Sequence, residues 1–334
     1  MTGKSNFFFI SLVNYGIIFL ESVRRMEEKK HAVFMGTSSF AKTILEGLID
    51  IVDVVLVVSQ PDSLVGRKRV LTKSPVKAYA EECGIEVYTP QNIKVDYQKI
   101  LDKDPDIIIT CAYGQILPLV LLENPVFGAI NVHASLLPKL RGGAPIHRAI
   151  IEGQTETGIT IMYMDAGMDT GDIIAKDKTE ILFDDTLDTL SLRLAKMGCI
   201  LLKETLPKIF NHTNVRLKQS VEDATYAHII TKEDEHIDFS KGSLEIYNLI
   251  RGLNSNPGAF TILNGEVLKV YEARIGNAKG RTSCINNIYK DGIGVGTRDG
   301  EIILTKIKPS GKNTISVRDY LNGQKKDLIG VILE

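Results

Sequence analysis

Cysteine is scarce and scattered. Cys83, Cys111, Cys199 and Cys284 form no CxxC pair, which excludes a zinc ribbon or a disulfide framework and points to a reducing compartment, the cytoplasm. An excess of either charge is lacking too. With 40 Lys and Arg against 41 Asp and Glu, no global field draws in nucleic acid, and any such surface must be local. No HxH, HExxH or clustered Cys/His set accompanies the acids, so no metal is expected. The glycine region after the first strand candidate, Gly36-Thr37-Ser38-Ser39, does not make GxGxxG, which argues against an NAD enzyme. Phe7 to Leu20 is an apolar run of 14 residues, broken by Ser11 and Asn14, too short to span a bilayer comfortably. It also lacks the basic start and small-residue cleavage site of a secretory signal. Met26 offers a second start, so residues 1–25 are expected to be a mis-called start or a disordered extension. No internal repeat or low-complexity tract is visible.

What is present is an ordinary globular composition in a chain of 334 residues, a length that suits two domains. Short apolar runs at Ala32–Met35, Val54–Val58, Ile107–Thr110, Ala129–Val132 and Ile159–Met164 read as strands. Phe40–Ile49, Pro75–Glu82, Gly143–Glu152 and Thr186–Phe210 read as helices, the last with Leu187, Leu190, Leu194 and Met197 at helical spacing. The alternation predicts α/β: a Rossmann-like, mostly parallel sheet over residues 26–210. Residues 211–217 read as a linker. Beyond it, one helix at Leu244–Arg251 precedes short alternating runs at Phe260–Leu263, Val267–Tyr271, Gly292–Gly296 and Ile302–Ile307. Turn dipeptides Asn264-Gly265, Asp291-Gly292 and Asp299-Gly300 punctuate them, predicting a small antiparallel β-barrel, OB-like, over 218–334.

Chemistry concentrates between Ala129 and Ile174. A strand ending in Asn131-Val132-His133 presents residues 131 and 133 on one face. A turn-rich loop follows, with Pro138, Gly142, Gly143 and Pro145. A second strand then delivers Asp165, Asp169 and Asp172, with Asp184 and Asp185 a little further on. An amide, an imidazole and a carboxylate at strand ends suit proton management and oxyanion stabilisation. Spacing alone does not choose among the carboxylates.

The runs NVHASLLPKLRGGAP and AGMDTGD resemble the core of the 10-formyltetrahydrofolate-dependent formyltransferases, and the resemblance extends from about residue 31 to the end. It implies an enzyme that moves a formyl group to an amine, with Asn131, His133 and Asp169 as catalytic residues. It implies folate contacts at Ser135, Leu136, Leu137, Pro138, Tyr113, Gly114, Ile116 and Leu117. Arg141 is expected to serve either the folate tail or a tRNA phosphate.

Members of this family differ in their acceptor. The loop Gln60–Lys77 carries Arg67, Lys68, Arg69, Lys73 and Lys77 against Asp62 alone, and resembles a tRNA-gripping insertion. The acceptor is therefore expected to be methionyl-initiator-tRNA, bound through Arg67, Lys68, Arg69 and Lys73, by a monomer with no membrane association. An amino sugar is the alternative. The chain departs from the family at Phe239 and Asn256, where tryptophan is common; it contains none. It also departs at Ser38-Ser39 and at His147, none of them in the catalytic trio.

Overall fold

A computed structural model of the protein describes residues 29–65, 69–323 and 327–334. The expected N-terminal extension, and Arg67 and Lys68 of the basic loop, lie outside the described residues. β1 (His31–Gly36) and β2 (Asp53–Val58) precede a small hairpin of β3 (Ser63–Val65) and β4 (Val70–Thr72). Then come β5 (Val87–Tyr88), β6 (Ile107–Cys111), β7 (Ala129–His133), β8 (Glu156–Tyr163) and β9 (Ile173–Glu180). Apart from the hairpin, these strands form one seven-stranded sheet in the order β5-β2-β1-β6-β7-β8-β9. β5 through β7 in that order pair in parallel, whereas β8 and β9 are antiparallel additions.

The helices of this body are α1 (Ser39–Leu48), α2 (Pro75–Glu82), α3 (Gln98–Leu101), α4 (Leu119–Glu123), α5 (Pro145–Ile151) and α6 (Leu187–Phe210). Both sheet faces are covered, which is why the run Ala32–Met35 is apolar without a break. Successive side chains still alternate. Ala32 and Phe34 join Ile44 and Leu45 of α1 and Leu194 and Leu202 of α6. Val33 and Met35 pack on the opposite side with Ile93, Ile100 and Leu121. Each fully buried Val, Leu, Ile, Phe or Met among them contributes about 1.5–3 kcal/mol. α6 begins at a Thr186 cap whose hydroxyl accepts from Thr189 N, and its leucines bury along one stripe. Pro145 sets the start of α5, two residues later than the pattern predicts, because proline suits the first helical turn.

The second body holds α7 (Ser243–Gly252), β10 (Ala259–Leu263), β11 (Glu266–Gly276), β12 (Ile285–Ile288), β13 (Ile293–Gly296), β14 (Glu301–Pro309), β15 (Ile315–Ser316) and α8 (Val317–Asn322). Its strands pair antiparallel in the order β10-β11-β14-β13-β12, with β15 on β14. Asn264 and Gly265, at φ +53° and +78°, make the tight β10–β11 turn. The last residues close the sheet: Glu334 exchanges hydrogen bonds with Ile262, while Leu333 N donates to Ser283 O and Ile285 N to Val331 O. Phe239 fills this core together with Ile246, Val270, Val295 and Leu304.

The two bodies pack firmly through α5 and α7. Gly252 permits the close approach, since a methyl there would lie 2.8 Å from Ile151 Cγ1. Buried Arg251 reaches across to donate to Asp185 O at 2.9 Å and Leu182 O at 3.1 Å. Among the described residues no helix is long and apolar enough to cross a membrane.

Candidate active site

The site is built on the end of β7. Asn131 and His133 share a face, as the two-residue period requires. Thr110, on the adjacent β6, donates its hydroxyl to Asn131 Oδ1 at 2.9 Å, which turns the amide nitrogen toward Asp169 Oδ1, 3.4 Å away. His133 is 5% exposed. Its Nε2 lies 2.9 Å from Leu140 O. A main-chain carbonyl can only accept, so that nitrogen carries a proton. Nδ1 is left facing Asp169 Oδ2 at 3.5 Å.

Asp169 arrives by an indirect route. In a wholly parallel sheet the loop after the next strand would open beside His133. β8 instead runs antiparallel, with Tyr163 opposite Ile130 and Thr160 opposite His133. The connection 164–172 therefore starts at the wrong end of β7 and must fold back about three residues, roughly 10 Å at strand rise. Several contacts hold it there. Gly142 N donates to Asp169 Oδ2 at 2.7 Å, and Asp165 accepts from Gly167 N at 3.0 Å and Thr170 Oγ1 at 2.6 Å. Asp169 itself sits at φ +54°, a left-handed conformation costly for a residue with a Cβ. The rival carboxylates are engaged elsewhere: Asp172 pairs with Arg216 at 3.1 Å and Asp185 with Arg193 at 2.5 Å.

Thr110, the Leu140 carbonyl, the Gly142 amide and Gln219 were not singled out from the sequence. The first three follow from the strand order and the loop's path. Gln219 lies in an otherwise exposed stretch with no motif. Arg141 differs from expectation. It is 3% exposed and donates to Gln219 Oε1 through Nη2 at 2.7 Å and Nε at 3.1 Å. Its guanidinium is a strut inside the protein, not a free cation for a folate tail or a phosphate.

The expected folate residues divide into a buried and an accessible set. Leu137 is fully buried against Met162 and Ile173, and Tyr113 and Leu117 belong to the core beneath the sheet. Ser135 is buried, its hydroxyl donating to Lys139 O at 2.6 Å. Leu137 O accepts from Lys176, whose ammonium burial pushes below its ordinary pKa. Ile116 and Gly114 are exposed and Leu136 and Pro138 half-buried. In the basic loop, Arg69 is exposed at φ +47°. Lys73 pairs with Glu81 at 2.5 Å, a hydrogen bond that raises its pKa, and Lys77 pairs with Asp62 at 2.8 Å. Among the described residues no cluster of three His, Cys, Asp or Glu could hold a metal ion.

Residues 29–206 match the formyl transferase family, and residues 229–325 match the formyl transferase C-terminal domain. The chain belongs to the formyl transferase family. In sequence it stands with the methionyl-tRNA formyltransferases. That of Macrococcus caseolyticus is 42% identical over 301 residues, covering 90% of this chain and 97% of the relative. That of Bacillus licheniformis is 46% identical, covering 87% and 94%. Among solved structures, an N-formyltransferase from Helicobacter canadensis, in complex with folinic acid and dTDP-3-aminofucose, shares the fold. Its TM-score is 0.59 at 23% identity, over 83% of this chain and 98% of that one. HypX from Aquifex aeolicus in complex with tetrahydrofolic acid matches at TM-score 0.63 and 15% identity, over 90% of this chain and 49% of that one. The chain spans about half the length of HypX.

Proposed function

We propose that the chain transfers the formyl group of 10-formyltetrahydrofolate to the α-amino group of methionyl-initiator-tRNA. The observation that carries the chemistry is the convergence of the Asn131 amide and the His133 imidazole on one carboxylate, Asp169, at 3.4 and 3.5 Å. The acceptor amine is its own nucleophile, so no Ser or Cys nucleophile is needed. Its nitrogen attacks the formyl carbon and the carbonyl electrons move onto oxygen. The Asn131 amide and the His133 imidazole are the groups placed to stabilise that oxyanion. Asp169 accepts the proton the amine releases, directly or through water. As the carbon–N10 bond breaks, a proton passes to N10, so one amine proton is exchanged for the formyl group and the balance closes.

Folate is read against the accessible rim formed by Gly114, Ile116, Leu136 and Pro138. The buried Tyr113, Leu117, Ser135 and Leu137 shape that rim from behind and contribute backbone groups. The basic loop with Arg67, Lys68, Arg69 and Lys73 is assigned to tRNA phosphates, and the barrel to support of the tRNA. Four free cysteines suit the reducing cytoplasm, where translation runs.

The test is an acceptor panel: purified protein and formyl-folate with charged initiator tRNA, a nucleotide-linked amino sugar, or buffer. Formylation of the tRNA alone is expected. Formylation of the sugar alone would transfer the assignment to the sugar enzymes, and turnover in buffer would mark a hydrolase.

A further inference from the structure

From residue 215 to 223 every residue is exposed except Gln219. Its carboxamide turns inward and is fully used. Nε2 donates to Asp169 O and to Gly171 O, both at 2.8 Å. Oε1 accepts twice from the buried Arg141. A guanidinium can only donate, so Arg141 dictates which way the amide faces: oxygen toward the arginine, NH2 toward the loop. Arg141 is itself fixed, its N donating to Thr225 O at 2.8 Å and its O accepting from Ala227 N at 2.7 Å.

The geometry points to Gln219 as a positioning residue that holds the Asp169 loop in its reactive placement, with Arg141 orienting its amide. The loop needs such a tether for two reasons. It folds back along β7 from the distal end, and Asp169 is kept at φ +54°, a conformation that persists only where surrounding contacts over-determine it. Gln219 grips the main chain of the catalytic residue itself, so loss of its two donors frees the carboxylate without touching any reacting atom. The segment joining the two bodies is thereby part of the active-site machinery. This inference rests on the assignment of Asp169 to formyl transfer made above.

Gln219→Glu separates this role from plain structural support. The glutamate still accepts from Arg141, but offers oxygen where two carbonyl oxygens expect N–H. Gln219→Glu and Gln219→Ala are both expected to lower kcat about 10–100-fold with KM for each substrate within about threefold, the signature of misplacement. In the Asp169→Ala background, adding Gln219→Glu should change kcat less than about twofold, since the tether acts only through that residue. Near-normal kcat in Gln219→Glu, or fully multiplicative losses in the double variant, would overturn the inference. Asp169→Ala with near-normal turnover would instead sink the assignment of Asp169. The tether would then be decided by amide exchange at Gly142, whose N–H Asp169 Oδ2 accepts: faster exchange in Gln219→Glu upholds it, and unchanged exchange overturns it.

Discussion

Replacing Gly142 by alanine should damage both stability and turnover. Gly142 sits at φ +113°, open only to glycine, and a methyl there would stand 2.9 Å from Ala227 O. Neither side can yield easily. Ala227 is fully buried, its oxygen accepts from Ala144 N at 3.1 Å and its nitrogen donates to Arg141 O at 2.7 Å. Backbone strain of about 1–3 kcal/mol combines with an overpacking cost of about 1–3 kcal/mol, so a total of about 2–6 kcal/mol is expected. For a chain of this size that lowers Tm by roughly 3–9 °C.

The same shift moves the Gly142 N–H that Asp169 accepts at 2.7 Å. A displacement approaching 1 Å costs up to about 100-fold in rate, so kcat should fall about 10–100-fold while KM holds. Gly143 supplies the internal control. A methyl there would meet Ile229 Cγ1 at 2.7 Å, but that side chain is 71% exposed and has solvent to turn into. Gly143→Ala should therefore be close to neutral. Formylation rates and melting by circular dichroism on the two variants decide the matter. Equal behaviour of Gly142→Ala and Gly143→Ala would refute the reasoning.

Three further outcomes are expected. Arg148 binds Asp234 through two hydrogen bonds of 3.0 and 2.8 Å, which hold its carboxyl at a pKa of about 2, below the ordinary 3.8. A depressed carboxylate stabilises above its unfolded pKa and loses that contribution as pH falls through the folded one. Arg148→Met should thus cost about 2 kcal/mol at pH 7 and converge with wild type between pH 4 and 2 in urea titrations, whereas a constant gap would contradict the linkage. Arg251→Met strips donors from Leu182 O and Asp185 O at the junction. It should destabilise by about 2–4 kcal/mol, with a broadened or split urea transition as the readout. Replacing Arg67, Lys68 and Arg69 together by alanine should flatten the log–log salt dependence of kcat/KM for tRNA by about 2–3 units and leave folate kinetics unchanged; identical slopes would reduce the loop to solvated surface.

Much of the architecture was legible because burial writes itself into sequence. Strands covered on both faces must be apolar throughout, so β1, β2, β6 and β7 stand out, and the leucine stripe of α6 follows from its packing. β9 was missed for the converse reason. As an edge strand it buries only Ile173 and Ile174 fully, and its remainder, AKDKTE, reads as polar loop. The β3–β4 hairpin within the basic loop was missed likewise, since Val70, Leu71 and Thr72 are all exposed. Asn131 and His133 could be paired from strand periodicity alone. Asp169 could not be chosen over Asp165 or Asp172 on spacing; the resemblance selected it, and the geometry sets it beside the other two. The strut role of Arg141 is not legible in sequence, which gives a side chain's charge but not its direction, and its partner Gln219 lies 78 residues further on.

The antiparallel turn of the sheet explains why so many tethers surround one aspartate. Had β8 run parallel, its loop would have opened at the C-terminal end of β7 and a short turn could have carried the carboxylate to the imidazole. Reversal places that loop at the far end, and the distance back must be covered by backbone that no strand or helix supports. Unsupported loops sample many conformations, and each ordered residue costs about 1–2 kcal/mol of entropy. The fold meets that cost with contacts from three directions: Gly142 from the loop after β7, Asp165 and Thr170 from within, and Gln219 from the chain leading to the barrel. A carboxylate held this way can be rigid when the groups around it are rigid. The buried strut of Arg141, which fixes the Gln219 amide, is one such rigid group.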